Sequence, residues 1–296
     1  MHKPKKLAFI TALSGVWIAV LLQSVGCDYL TDPFDPGLPL EEIEQRVRTI
    51  HDSRAVFTFQ EYEMLLQELS RPRYTVLPLN IFRHTFDTSK VLVGMRHDVD
   101  CHPFKALEMA EMEEDYGIQA TYYILHSADY YGGLQDSVFM RYQSMGTIYQ
   151  QLFERAGEIG IHNDLIGMMA LHDIEPLSFQ SEEIDYYASL NIPIFGSSSH
   201  GGSIVKQLNL DNRYIYSDFH KYGTFTYNNK TYEYGRYSLA DFGLKYEAYA
   251  LEHNNYISDA SATWNLGSLE AVIRYLQSCT AGRKVQLLTH PVWWGK

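Results

Sequence analysis

Short apolar runs alternate with stretches of helical periodicity through most of the chain after residue 90. Seven runs have the length and the β-branched or aromatic content of strands, at 91–95, 120–125, 159–161, 192–196, 214–216, 256–257 and 285–288. Between several of them, apolar residues recur three and four positions apart, at 103–116, 142–156, 176–190 and 266–277. This alternation predicts parallel strands joined by crossover helices, in either a barrel or an open sheet.

Two further helical patterns precede the first predicted strand, at 40–50 and 58–69. In the second, the apolar residues Phe59, Tyr62, Leu65, Leu66 and Leu69 fall on one face. Both patterns predict helices that pack on the body of the protein. The sequence has no internal repeat and no second linker, so residues 52–296 are predicted to form one domain.

The first 26 residues have the pattern of a bacterial export signal. Three lysines among the first six residues precede an apolar run at 7–22, which is short for a membrane span. The run ends at Ser-Val-Gly-Cys, which resembles a lipoprotein signal except that Ser24 stands where Leu is usual. An ordinary cleaved signal or an uncleaved anchor would give a similar pattern. We expect an exported protein whose Cys27 carries a lipid.

A lipid on Cys27 would hold the protein at the outer side of a bacterial cytoplasmic membrane or in the periplasm. Residues 27–51 are then predicted to be a tether and linker, because 31–39 contains three prolines and lacks hydrophobic periodicity. The membrane is therefore an expected partner, reached through the anchor.

Composition narrows the classes of partner. The chain has 296 residues and a formal net charge of -12, and it offers no concentrated basic face that could neutralise phosphates, so nucleic acid is excluded. Its 23 Tyr, 14 Phe and 4 Trp give many flat apolar rings with polar tips, which suit the faces of sugars. An aromatic-rich core would account for the same residues.

Histidine, aspartate or serine follows most of the predicted strands. The positions are Asp98 and Asp100, His162 and Asp164, Ser197 to His200, Asp218, Asp259 and His290. Because the carboxyl ends of parallel strands meet at one edge of the sheet, these side chains are predicted to converge on one site. A single Asp or Ser at such a position could equally cap the following helix.

The segment 96–100 places three charged residues and a histidine at the end of the first predicted strand. In an extended strand, residues two apart share a face, so Arg96, Asp98 and Asp100 point one way and His97 points the other. Two buried carboxylates beside one guanidinium are costly unless a cation or a proton relieves their repulsion. The segment therefore predicts either a divalent-metal site or an Arg–Asp ion pair with a cap for the next helix.

The sequence Val-Gly-Met-Arg-His-Asp-Val-Asp at 93–100, followed by a helical pattern and then by 117–123, resembles the opening of the polysaccharide deacetylase (carbohydrate esterase family 4) domain. It is most similar to the branch with Asp-x-Asp in place of adjacent aspartates. The similarity continues in order through 158–164, 198–201, 257–259 and 288–291. The resemblance implies an α/β fold, a distorted (β/α) barrel of the polysaccharide deacetylase type.

The resemblance also implies roles for individual residues. Asp98 would be the general base, Asp100 and His162 would be ligands of a divalent metal, with zinc the expected ion, and His290 would be the general acid. A bound cation of this kind polarises an acetyl carbonyl and lowers the pKa of a water molecule. Arg96 is expected to keep Asp98 in its charged form.

One position departs from the family pattern. The second histidine of the metal-binding motif, four residues after the first, is replaced by Ile166. Catalytic zinc normally has three protein ligands, so another residue must complete the site. His200 is the predicted third ligand and Asp164 the next choice, whereas a loop histidine bonded to the backbone is the plain structural reading of His200.

Four residues near these motifs are predicted to contact substrate. They are Asp164, Asp259, Trp293 and Trp294, of which the tryptophans could stack on sugar rings. Core packing or turn capping would explain the same residues.

The leading functional expectation is a metal-dependent hydrolase that removes acetyl groups, in the first place N-acetyl groups, from a cell-envelope or exported polysaccharide. Two alternatives stay open. One is a glycan-binding lipoprotein of the same fold that has lost catalysis together with the second histidine. The other is a hydrolase of a different amide or ester, because loops that the motifs do not include decide specificity.

Overall fold

The computed structural model describes residues 34–136 and 138–296. The predicted signal peptide at 1–26 and the predicted lipid attachment site Cys27 lie outside these residues. Within them, no helix is both long enough and apolar enough to cross a membrane.

The described residues form strands and α-helices in the following order. The strands are β1 (Tyr74–Leu77), β2 (Val91–Val99), β3 (Ala120–Leu125), β4 (Gly132–Gln135), β5 (Val138–Arg141), β6 (Gly157–Asn163), β7 (Gly196–Ser199), β8 (Gly223–Tyr227), β9 (Lys230–Tyr234), β10 (Tyr246–Glu247), β11 (Asn255–Ser258) and β12 (Lys284–Thr289). The helices are α1 (Leu40–His51), α2 (Phe59–Leu69), α3 (Leu79–Phe82), α4 (Pro103–Asp115), α5 (Gly146–Ala156), α6 (Leu165–His172), α7 (Pro176–Ser189), α8 (Ser203–Gln207) and α9 (Leu269–Ser278).

The main sheet contains eight strands, and every pair in it is parallel. Its order is β10-β7-β6-β3-β2-β12-β11. The eighth strand, β1, pairs with residues 91–94 of β2, on the same edge where β3 pairs with residues 96–99. The sheet curls into a half-barrel flanked by helices, which confirms the predicted α/β class and is consistent with a distorted barrel.

The central strand β2 is buried at every position, as expected where helices cover both faces of a parallel sheet. At Gly94, a Cβ atom would lie 2.7 Å from the ring of Phe82 and 2.8 Å from Leu79. Only glycine therefore lets α3 approach this strand so closely. The helix that follows the strand, α4, begins at Pro103, and its first turn is capped by the imidazole of His102, which accepts from the Lys105 amide.

The helix α1 packs on the domain although it lies in the range predicted to be tether and linker. Ile43, Val47 and His51 are buried, and His51 Nε2 lies 3.3 Å from a carboxylate oxygen of Asp129. The folded body therefore begins before residue 52.

Two predicted strands differ from the structure. The run 214–216 belongs to a 3-10 helix at Asn212–Ile215, because the Asp211 carboxylate caps that turn by accepting from the Arg213 amide. The run at 192–196 is displaced, since the strand itself starts at Gly196. The other five predicted strands fall within β2, β3, β6, β11 and β12.

Candidate metal and catalytic site

The carboxyl ends of β2, β6, β7 and β12 surround one cavity of about 180 Å³, here called the main cavity. Its lining consists of Asp98, Asp100, His162, Ser199, His200, Gly201, Lys206, Tyr249, Ala260, Ser261, His290 and Trp293. Parallel pairing brings these ends together, since residues distant in sequence share one register across the sheet. Six of the predicted site residues therefore line one wall or another of the same cavity: Asp98, Asp100, His162, His200, His290 and Trp293.

Asp100, His162 and His200 each offer one ligand atom, and these three atoms lie within 4.8 Å of one another. His162 Nδ1 lies 2.9 Å from the Ser198 carbonyl oxygen, which can only accept a hydrogen bond, so this nitrogen carries the proton. His162 Nε2 then faces Asp100 Oδ1 at 3.1 Å. A lone pair facing a carboxylate requires a proton or a cation between them, and a tetrahedral ion separates its ligand atoms by about 3.3 Å. The donor set therefore fits a divalent cation.

The carboxyl group of Asp100 is suited to ligation. Burial opposes its charge, but the interaction with His162 and the nearby rings of His290 and His200 lower its pKa well below the usual range. An ionised oxygen is the form that binds a metal.

His200 is oriented by the carboxylate of Asp164, whose Oδ2 lies 3.6 Å from His200 Nδ1. Burial works against a charged ring, but the interaction with Asp164 raises the pKa of His200 above its usual value. Asp164 is itself fixed by hydrogen bonds from Ser127 Oγ at 2.8 Å and Asn212 Nδ2 at 2.9 Å. Such an outer partner fixes the orientation of a ligating imidazole.

Asp98 borders the three ligand atoms on the side of β2. Its Oδ2 accepts from Arg96 Nη2 at 3.1 Å and lies 3.7 Å from His162 Nε2. Ser198 Oγ is 3.3 Å and 3.4 Å from the two carboxylate oxygens. The guanidinium of Arg96 is fully buried and lies under the ring of Tyr249, 4.2 Å from its centroid. Arg96 is thus a fixed positive charge behind the carboxylate.

His290 forms a second histidine–carboxylate pair across the main cavity. Its Nδ1 lies 2.6 Å from Asp259 Oδ1, and the His290 amide donates to Asp259 Oδ2 at 3.1 Å. Burial disfavours the charged ring, but Asp259, followed by Asp100 and Asp98, raises the pKa of His290 to about 9. The imidazole therefore holds a proton at neutral pH, as a general acid must.

The structure corrects two of the predicted substrate contacts. Trp294 is fully buried against Phe57 and Tyr62, and its Nε1 donates to Asp259 Oδ2 at 2.9 Å. Asp259 is also fully buried, with both oxygens used by His290 and Trp294. These residues support the acid histidine and do not reach the cavity, whereas Trp293 lines it.

The remaining predicted residues also have defined places. Asp164 lies behind His200 and is absent from the lining of the main cavity, so it too supports a ligand. Asp218 accepts from the Leu239 amide at 2.6 Å in a loop away from the cavity. Ile166, at the position of the missing histidine, is buried in α6.

Three contributing residues were not assigned a site role from the sequence. Ser198 places both Asp98 and His162, His126 Nε2 accepts the Asp164 amide at 2.8 Å, and Tyr249 covers Arg96. The strand-end position of His126 was the only sequence signal for it. Tyr249 follows a strand of two residues, which no periodicity can reveal.

Comparison with known proteins assigns no family to this chain. The sequence matches no protein-family model, and no curated protein matches it. A function for the chain has therefore to be inferred from the residues of the main cavity.

Proposed function

We propose that this chain is a metal-dependent hydrolase that removes acetyl groups, in the first place N-acetyl groups, from a cell-envelope or exported polysaccharide. The observation that carries the proposal is that three kinds of group lie together in the main cavity: candidate metal ligands, a carboxylate that can act as a base, and an imidazole that can act as an acid. A carboxylate and two imidazoles suit a divalent cation, Asp98 is a base beside them, and His290 is a protonated acid held by Asp259. We propose zinc as the metal, because two imidazoles and a carboxylate are among its preferred ligand sets.

In the proposed reaction, Asp100, His162 and His200 would hold a divalent cation, which would supply Lewis acidity and make a water molecule more acidic. Asp98 takes the proton of that water on its carboxylate, while Arg96 holds the carboxylate in place and balances its charge. His290 gives its proton to the departing amine or alkoxide, and Asp259 stabilises the charged ring beforehand. The main cavity, lined in part by Trp293, orients the acetylated sugar.

The alternative of a catalytically altered glycan-binding lipoprotein was based on the loss of the second histidine. The position of His200 favours hydrolysis over that alternative, because it brings the number of protein donors to three without residue 166. The intact Asp259–His290 pair also favours hydrolysis, since a glycan-binding site needs no protonated acid.

The curled parallel sheet and the ordered motifs favour a distorted barrel of the polysaccharide deacetylase type. We further propose that a lipid on Cys27 holds the enzyme outside the cytoplasmic membrane, beside acetylated glycans. Replacing Cys27 by Ser should then release the protein from the membrane fraction, and unchanged membrane association would point to an uncleaved anchor.

The function is tested by measuring metal content and acetate release together. The wild-type protein, loaded with zinc, should bind about one ion per chain and release acetate from an N-acetylglucosamine oligosaccharide. Asp98→Asn should retain the ion and lose a factor of about 100 to 10,000 in kcat, the range expected for a general base. Bound metal with no acetate released from N-acetylated or O-acetylated glycans would instead favour the glycan-binding alternative.

A further inference from the structure

A second cavity of about 190 Å³, here called the side cavity, adjoins the main cavity. The two share five lining residues, Ser199, His200, Gly201, Lys206 and Tyr249. These shared residues make the two cavities direct neighbours. The side cavity is completed by Val205, Leu210, Asp211 and Arg213.

Two cations line the side cavity, Arg213 and Lys206, and they differ in their contacts with carboxylates. Arg213 Nη2 lies 2.7 Å from Asp211 Oδ2, and its Nε lies 3.1 Å from both carboxylate oxygens, so this guanidinium is neutralised by a forked ion pair. Lys206 is exposed at the boundary of the two cavities. Among residues 34–136 and 138–296 it takes part in no salt bridge. The side cavity thus has one cation without a matching carboxylate.

The wall between the cavities also presents an aromatic face. The Tyr249 ring lies over the Arg96 guanidinium at 4.2 Å and near that of Arg213 at 5.7 Å, and the residue remains 36% exposed. The exposed part of this ring is an apolar surface against which a sugar can pack. The side cavity therefore combines an aromatic ring that can pack on a sugar with a solvent-exposed cation, Lys206.

We infer that the side cavity is a subsite for an acidic sugar of the substrate, whose carboxylate pairs with Lys206 while its ring lies on Tyr249. The inference rests on the proposed function and adds to it a substrate class, N-acetylated glycans that carry carboxylates. Because the formal net charge is -12, the protein as a whole repels such a glycan, and a local cation is needed to offset this repulsion.

The test compares two forms of one tetrasaccharide. The first alternates N-acetylglucosamine with glucuronic acid, and the second is the same molecule with its carboxyl groups reduced to alcohols. For the wild-type enzyme we expect kcat/KM for acetate release and the affinity measured by calorimetry to favour the acidic form about fivefold, as one partly exposed ion pair allows. Lys206→Met should abolish this preference, whereas Lys221→Met, at an exposed lysine outside both cavities, should keep it.

The two readouts separate this inference from the proposed function. Equal acetate release from both forms, or a preference that survives in Lys206→Met, overturns the subsite while leaving the hydrolase intact. No acetate release, with a binding preference that Lys206→Met removes, supports the subsite and counts against the hydrolase. Failure of the protein to bind either form overturns the subsite. Added salt should weaken the wild-type preference, because it screens a partly exposed pair.

Discussion

Both faces of β2 bury charged side chains, but one face is closed by protein contacts whereas the other opens onto the main cavity. On one face, His97 Nε2 lies 2.8 Å from Glu113 Oε1, and its Nδ1 lies 2.6 Å from Thr289 Oγ1. Tyr122 and Tyr62 both donate to the same glutamate, and all of these side chains are buried. The group is closed, because both carboxylate oxygens of Glu113 meet protein partners and the side chains around them are buried.

On the other face, Asp98 and Asp100 open onto the main cavity, and Asp100 faces two imidazoles. Burial of charge is therefore common to both faces. The site differs in having a solvent-accessible space at the point where donor atoms converge, and it is this difference that predicts chemistry there and stability on the opposite face.

The largest effect should come from the acid on the open face. His290→Gln removes the proton donor while preserving the side-chain length, so kcat should fall by a factor of about 100 to 10,000. Metal content should stay near that of the wild type, because His290 is not among the proposed ligands. The melting temperature should fall, because the buried carboxylate of Asp259 loses its charged partner. A change of less than tenfold in kcat, with the ion bound, would remove His290 from the reaction.

The next effect concerns the proposed ligands. His200→Ala and His162→Ala should each weaken zinc binding by more than about a hundredfold, since each removes one of three donors. His84→Ala, at an exposed histidine far from the cavity, is the matched control and should leave the affinity unchanged. Retained zinc in His200→Ala together with loss in His162→Ala would exclude His200 as a ligand.

The closed face should respond in stability and not in chemistry. Glu113→Gln weakens the hydrogen bonds from Tyr62 and Tyr122 and removes the charge that faces His97, so the free energy of unfolding should fall by about 2 kcal/mol. Glu114→Gln, at the exposed neighbour, should change it by less than about 0.5 kcal/mol. Denaturant unfolding gives both values. Loss of zinc binding or of acetate release in folded Glu113→Gln would contradict the division between the faces.

The smallest effect is a shift in pH dependence. Because the carboxylate of Asp259 raises the pKa of His290 to about 9, the acid form persists through neutral pH and is lost as the pH rises through that value. Asp259→Asn removes the raising charge while burial still lowers the pKa. The alkaline limb of kcat should therefore move to lower pH by about one unit or more. An unchanged limb in zinc-loaded protein would assign it to another group.

Most of the fold on which the site depends could be predicted from the sequence. The bounds of β3 were predicted to the residue, and α4 was predicted within one residue, because both have strong periodicity and clear ends. Strand alternation also sorted Arg96 and Asp98 from His97, as the contacts of the two faces bear out. The hairpins β4–β5 and β8–β9 were not predicted, since they are short and, among their strand residues, only Phe225 and Tyr234 are buried.

The site was harder to predict where residues act through others. Strand ends identified the right regions, but Asp259 and Trp294 were interpreted as substrate contacts. In the structure, Asp259 pairs with His290, and Trp294 donates a hydrogen bond to Asp259. Sequence position cannot distinguish a side chain that faces the cavity from one that lies behind it, because both follow the same strand end. Ser198 was identified only as part of a strand end at 197–200, because the sequence does not show that its carbonyl oxygen accepts from His162 and its hydroxyl contacts Asp98.

The central claim is that Asp100, His162 and His200 together bind one metal ion. A crystal structure of the zinc-loaded protein, with anomalous scattering recorded at the zinc edge, tests this directly. We predict one strong peak in the main cavity, with an oxygen of Asp100 and one nitrogen of each histidine about 2.0–2.2 Å from it. Zinc-loaded crystals with no peak in the main cavity, or with a peak that His200 does not contact, would contradict the claim.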